Sequence, residues 1–297
     1  MYMTFPKWLV DFYIRYTKES GKKATKELII DRHTENYNIP KYLRFPRPII
    51  KNDYLEMEIF ESHSNGKSKW TLLYFHGGSY IHKFSPFHWR FLSKIAKMTG
   101  CALVVPNYFM MPKWSAKISN EITMNYYEAF TRTHDMSKVV IAGDSAGGGL
   151  ALVIMQRAIK MGLPLPAKAI LISPWVDVTG GNPEKDRVDN MISYDVAMEY
   201  GKAWQKGLKD KDPFASPLYG DMAGLPPVDL WVGGNEVLFY DIMFLFMKMK
   251  DNNVQVKLHQ TINEGHVFPL YPTRNGKNAR KEIAEFILNE TNIKSKR

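Results

Sequence analysis

The chain has one cysteine, Cys101, in 297 residues, so no intrachain disulfide can form. Such a sequence fits a reducing compartment, and a cytoplasmic location is the expectation. Cys101 opens the apolar run Cys101-Ala102-Leu103-Val104-Val105, which reads as a buried strand carrying an inert core thiol. No stretch reaches the roughly 18 apolar residues that a membrane-spanning helix needs. Near the start, Trp8-Leu9-Val10 is interrupted by Asp11 and Arg15 before a signal-peptide core could form. Also absent are internal repeats of roughly 20–50 residues. Paired Cys-x-x-Cys, His-Glu-x-x-His, a P-loop and Gly-x-Gly-x-x-Gly are all missing, so neither metal nor organic cofactor is expected.

The net charge is +10, but no block of about five or six consecutive basic residues concentrates it. The densest bias is residues 1–53, with eleven Lys/Arg against six Asp/Glu. No nucleic-acid module pattern accompanies the charge, so a nucleic-acid partner is not expected. The ordinary reading is a solvated, lysine-rich surface.

What is present is a composition able to bury a core, 45% hydrophobic and 13% aromatic. The expected organisation is one α/β catalytic domain with helical additions: N-terminal cap helices at 1–45, a first catalytic part at 46–178, a cap insertion at 179–212 and a second catalytic part at 213–297. Phe5, Trp8, Leu9, Phe12 and Tyr16 recur at helical spacing, a stripe that normally covers the same protein and otherwise suits a membrane surface. Strands are predicted at 54–60, 71–75, 102–105, 139–142, 169–172, 228–232 and 254–258. Helices are predicted between them at 86–98, 118–130, from 146 to about 160, at 194–208, from 238 to about 250 and at the C-terminus. That alternation argues for a mostly parallel sheet covered on both faces, with its site at the carboxyl ends of the strands. The 179–212 insertion would sit above that edge.

The strand 139–142 runs into Gly143-Asp144-Ser145-Ala146-Gly147, a G-x-S-x-G sequence. A serine on a tight strand-to-helix turn has a strained backbone, and glycine two residues to either side lets neighbouring chains approach. The turn raises the hydroxyl, and the following helix aims its N-terminus at the reacting centre. His76-Gly77-Gly78-Ser79-Tyr80 ends another strand, where the N–H groups of Gly77, Gly78 and Ala146 could form an oxyanion hole. A serine hydroxyl needs a base, itself oriented by an acid; in chains that this turn resembles, the α/β-hydrolases, they follow in the order serine, acid, histidine. Only His259 and His266 follow Ser145. His259 reads as a partly exposed position at a strand end, and His266, in a loop, is taken as the base. Glu236 is the chosen acid because it lies in the loop after strand 228–232; Asp241, on the next helix, is the alternative.

These residues resemble the hormone-sensitive-lipase-like family of esterases within the α/β-hydrolases. The matches are His76-Gly77-Gly78, Gly143-Asp144-Ser145-Ala146-Gly147-Gly148, Asp212-Pro213-Phe214-Ala215-Ser216-Pro217-Leu218 and Gly224-Leu225-Pro226-Pro227-Val228. Gly233-x-x-Glu236-x-Leu238 and His266-Val267-Phe268 complete the set, in family order across 70–270. The resemblance implies Ser145 as nucleophile, His266 as general base, Glu236 as acid, and a cap made from the N-terminal helices and the insertion. Two departures concern the pocket on the alcohol side: Ser79 replaces a third glycine, and Phe109-Met110-Met111-Pro112-Lys113 replaces the usual Arg-Leu-Ala-Pro-Glu.

The expected activity is hydrolysis of short- to medium-chain acyl esters through an acyl-enzyme, with a small-molecule ester as partner. Peripheral contact of the N-terminal helix with a membrane is a further possibility. The same groups could instead serve an amide or peptide hydrolase, or a small-ligand receptor on this fold. Trp8, Phe12, Met191, Met198 and Trp204 suggest an apolar acyl pocket, although core packing explains them equally.

Overall fold

The computed structural model describes residues 4–12, 14, 39–180, 189 and 191–289. Strands that are apolar at nearly every position need cover on both faces, and here they receive it. The sheet contains β1 (Ile50–Tyr54), β2 (Met57–Ser62), β3 (Thr71–Phe75), β4 (Ala102–Pro106), β5 (Val139–Asp144), β6 (Lys168–Ile172), β7 (Val228–Gly233) and β8 (Val256–Thr261). Their spatial order is β1-β2-β4-β3-β5-β6-β7-β8. β1 and β2 pair antiparallel, as do β2 and β4, and every remaining pair is parallel. This is the mostly parallel sheet anticipated from the alternating pattern, in the α/β-hydrolase arrangement that the resemblance implied.

Among the described residues from 50 onward, the α-helices in chain order are α1 (Pro86–Thr99), α2 (Ala116–Thr133), α3 (Ala146–Met161), α4 (Tyr194–Trp204), α5 (Phe239–Asp251) and α6 (Arg274–Leu288). Alternate residues of the central strands feed two apolar clusters. Leu73, Phe75, Ile141, Leu171 and Leu230 pack with the buried residues of α2, α3 and α5. Leu72, Tyr74, Val140, Ile170 and Trp231 pack with those of α1 and α6. A buried lysine fastens the second layer: Lys168 of β6 donates to Phe286 O (2.7 Å), Ile287 O (3.4 Å) and Asn289 O. Those carbonyls end α6, where a cation complements the helix dipole.

The strand register prepares the site. Phe75 pairs with Gly143, Asp144 with Ile172, Ile172 with Trp231 and Gly233 with Thr261. The carboxyl ends of β3, β5, β6, β7 and β8 therefore share one edge, and the loops that leave them can meet.

Three expectations need correction. The segment 54–60 is not one strand but the end of β1, a turn and most of β2; Leu55 and Glu56 have φ of 47° and 67°. A two-residue turn with both φ positive matches strand twist, but it usually advertises itself with Asn-Gly, which is absent here. His259 is not at a strand end: it lies inside β8 with its side chain only 8% exposed. The N-terminal stripe is also turned the other way. Residues 7–12 are helical, yet Trp8 is 68% and Phe12 65% exposed, while Val10 and Ile14 are buried. Tyr16, the remainder of the expected N-terminal helices and most of the stretch 179–190 lie outside the described residues. Among the described residues no helix is long and apolar enough to cross a membrane.

Candidate active site

β5 ends at Asp144, and Ser145 adopts φ 50° and ψ −122° before α3 begins. A non-glycine residue at positive φ is strained and must be held by its surroundings. The Ser145 N–H donates to Ile172 O (2.9 Å), and its carbonyl accepts from Trp175 N (2.8 Å). The flanking glycines are required by close approach. A Cβ on Gly143 would lie 2.3 Å from Gly147 O, and one on Gly147 would lie 2.1 Å from Phe75 O.

Asp144 anchors the same turn from below. Its carboxylate accepts from the Tyr74 hydroxyl, from Gly77 N (2.9 Å) and from His88 Nε2 (3.2 Å). Because Ser85 N donates to His88 Nδ1 (2.8 Å), the proton of His88 sits on Nε2, facing Asp144. Burial alone would raise the Asp144 carboxyl, but His88, Tyr74 and Gly77 outweigh it and hold the group below its usual range.

This arrangement corrects one expectation: the N–H of Gly77 is committed to Asp144 and cannot also face a reacting oxygen. Among the described residues no hydrogen bond claims the N–H of Gly78, Ser79 or Ala146. Ser79 has φ 53°, and Ala146 is the first residue of α3, where N–H groups have no partner in the helix. His76, next in line, is buried and neutral, pushed down to about 4 by desolvation and the neighbouring His88.

The loops after β7 and β8 bring in the remaining groups. His266 Nε2 lies 2.8 Å from Ser145 Oγ, and His266 Nδ1 lies 2.6 Å from Glu236 Oε2. All three residues are buried. The other carboxylate oxygen of Glu236 accepts from Gly233 N (2.8 Å) and from Ser173 Oγ (3.0 Å). Ser173 Oγ in turn accepts from Val267 N (3.0 Å), so one hydroxyl ties the acid to the backbone beside the imidazole. Sequence reading passed over Ser173, whose only signal is its place directly after β6.

Burial opposes protonation of His266, but the Glu236 carboxylate more than compensates and raises its pKa above the ordinary value. Asp241 is elsewhere: it lies in the first turn of α5, pushed up to about 7 by burial and by Asp177.

Beside His266 is a small, partly open recess lined by Val10, Ile14, Met191, Phe268 and Tyr271 among others. Of the five residues expected to line an acyl pocket, Met191 lines this recess. Trp204 is buried and stacks on Tyr80 with ring centroids 3.9 Å apart, Met198 packs against the core, and Trp8 and Phe12 face solvent. Among the described residues no group of His, Cys, Asp and Glu is arranged to hold a metal ion.

Residues 72–270 match the protein family described as the alpha/beta hydrolase fold. The chain is 35% identical over 176 residues to an acetyl-hydrolase of Streptomyces hygroscopicus, covering 58% of each chain. It is 31% identical over 192 residues to a triacylglycerol lipase of Mycobacterium tuberculosis, covering 61% of this chain and 37% of that one. The match therefore spans just over half of the first relative and little more than a third of the second. Among solved structures, the hormone-sensitive-lipase homologue EstE7 from a metagenome library superposes with a TM-score of 0.81. Identity there is 27%, and the match covers 96% of this chain and 98% of that one. The resemblance read from the motifs thus extends to the whole fold.

Proposed function

The chain belongs to the family described as the alpha/beta hydrolase fold, and from that premise we propose that it is a serine carboxylesterase. The observation that carries the reading is the buried line from Glu236 through His266 to Ser145, with contacts of 2.6 and 2.8 Å. Ser145 Oγ attacks the ester carbonyl carbon while its proton passes to His266 Nε2. Glu236 accepts from His266 Nδ1, fixes that tautomer and stabilises the imidazolium. The tetrahedral oxyanion is held by the N–H groups of Gly78, Ser79 and Ala146, each worth about 3 kcal/mol in such a role. The intermediate collapses, the C–O bond to the alcohol breaks, and the leaving oxygen takes the proton from His266. Water then attacks the acyl-serine, giving its proton to His266; collapse breaks the acyl–Oγ bond, returns that proton to Ser145 Oγ and releases the carboxylic acid.

Asp189 Oδ2 accepts from Val237 N (3.0 Å), directly after Glu236, and Val10 lines the cavity. Both contacts support the assignment of 1–45 and 179–212 as a cap over the catalytic parts 46–178 and 213–297. Cys101 is the single cysteine of the sequence, so no intrachain disulfide can form, which supports a reducing, cytoplasmic setting.

Labelling with a fluorophosphonate followed by peptide mapping tests the nucleophile: the adduct is expected on Ser145, and an adduct on another serine overturns the assignment. Matched short-chain ester and anilide substrates test the bond type. Faster cleavage of the ester is expected; equal or faster anilide cleavage makes the protein an amide hydrolase, and no turnover of either leaves a receptor.

A further inference from the structure

The N-terminal helical residues 7–12 present two unlike faces. Val10 and Ile14 are buried and line the cavity beside His266. Phe5, Trp8, Leu9 and Phe12 are 43%, 68%, 38% and 65% exposed. Trp8, Leu9 and Phe12 lie along one side of the helix, and Phe5 stands just before its first turn. Four large apolar side chains in one exposed row differ from the single exposed leucine that any protein surface tolerates.

The row is held in place. The Phe5 N–H donates to Pro272 O (2.8 Å), in the segment that follows the 3-10 turn Phe268–Leu270 after His266. The inner face of the same helix is thus docked over the site, and its outer face points away from it.

Charge selects the occupant. The chain carries a net charge of +10, with eleven Lys/Arg against six Asp/Glu in residues 1–53. Lys41, Arg44 and Arg47 are exposed with no acid between them. They belong to the segment whose Leu43 and Phe45 pack on the same apolar cluster as Val10 and Ile14. A second copy of a chain this basic would meet like charge, whereas an anionic lipid surface meets both the charge and the apolar row. Aromatic side chains on such a helix suit the boundary between headgroups and acyl chains.

We propose that Phe5, Trp8, Leu9 and Phe12 dock the protein on an anionic lipid surface, with the cavity beside His266 immediately behind the contact. The docking itself does not depend on the esterase reading, and only the use of lipid-embedded esters rests on it.

The test is sedimentation of the full chain with sucrose-loaded vesicles of phosphatidylglycerol and phosphatidylcholine, beside vesicles of phosphatidylcholine alone. Wild type is expected to sediment with the anionic vesicles and to release as salt is raised. The double variant Trp8→Ser, Phe12→Ser is expected to bind about tenfold more weakly while its turnover of a water-soluble ester stays within about twofold. Equal sedimentation of variant and wild type overturns the proposal, as does failure of wild type to bind.

A dimeric wild type that the double variant converts to monomer also overturns it, because the row then belongs to a second copy. Should the double variant lose its helical circular dichroism, an environment-sensitive label on Trp8→Cys replaces it. Its emission is expected to shift to the blue on anionic vesicles, while a label on Met161→Cys, at the far end of α3, stays unchanged. Equal responses at the two positions defeat the idea.

Discussion

Two carboxylate–imidazole pairs join the β7 side of the molecule to the β8 side, and each pair is separated by thirty residues. Asp229 and His259 belong to the strands themselves; Glu236 and His266 lie just beyond the strand ends. Both acids approach a ring nitrogen closely, at 3.1 Å in the first pair and 2.6 Å in the second. The difference is at the other nitrogen. His259 Nδ1 meets a second carboxylate, Glu282 of α6, at 3.3 Å, and its ring lies flat on Trp231 with centroids 3.8 Å apart. His266 Nε2 meets the hydroxyl of Ser145. An acid on each side makes an imidazole a clasp between sheet and helix. An acid on one side and a hydroxyl on the other makes it a base.

The strongest way to break this contrast is to remove the hydroxyl. Ser145→Ala is expected to lower kcat on a short-chain ester by roughly 10⁴–10⁶; retention of more than about a tenth of the rate would end the nucleophile assignment. Next, the two acids can be neutralised in turn. Glu236→Gln is expected to lower kcat by roughly 10²–10⁴ because the imidazole loses its orienting partner. Asp229→Asn, the equivalent change in the other pair, is expected to leave kcat within about twofold. Similar losses in both would show that the pairs are not distinct in function.

The pH profile sharpens the comparison further. The base must be neutral to act, and the Glu236 carboxylate raises the His266 pKa. kcat/KM is therefore expected to climb with pH through an apparent pKa above the ordinary value of about 6.5, and to fall away on the acid side. A rate independent of pH between about 5 and 8 counts against His266 as the base. The smallest kinetic effect belongs to the clasp: His259→Asn is expected to lower Tm by a few degrees, from a loss of about 1 kcal/mol, with kcat unchanged.

Much of the molecule was legible because its signals are local. The strands from β3 to β7 are short apolar runs, and the helices between them carry clear apolar periodicity. Ser145 sits in a G-x-S-x-G turn, and the order serine, acid, histidine singles out Glu236 and His266. Ser173 was not legible, because a lone serine after a strand acquires meaning only when Glu236 and Val267 arrive on either side of it. The commitment of Gly77 was equally hidden: its N–H meets Asp144, sixty-seven residues away. The β1–β2 turn at Leu55-Glu56 uses left-handed backbone without the glycine or asparagine that normally announces it.

By itself, the sequence determined which segments could be strand or helix, since periodicity and turn chemistry act over a few residues. It also determined which side chains could carry acyl transfer. Only the tertiary structure decided which imidazole has a hydroxyl within reach and which lies between two acids. It also decided that the N-terminal aromatic row faces outward. The physical reason is the same in each case. A helix or strand has two sides whose chemistry is written locally, but which side meets protein is fixed by the neighbours that packing brings from distant parts of the chain.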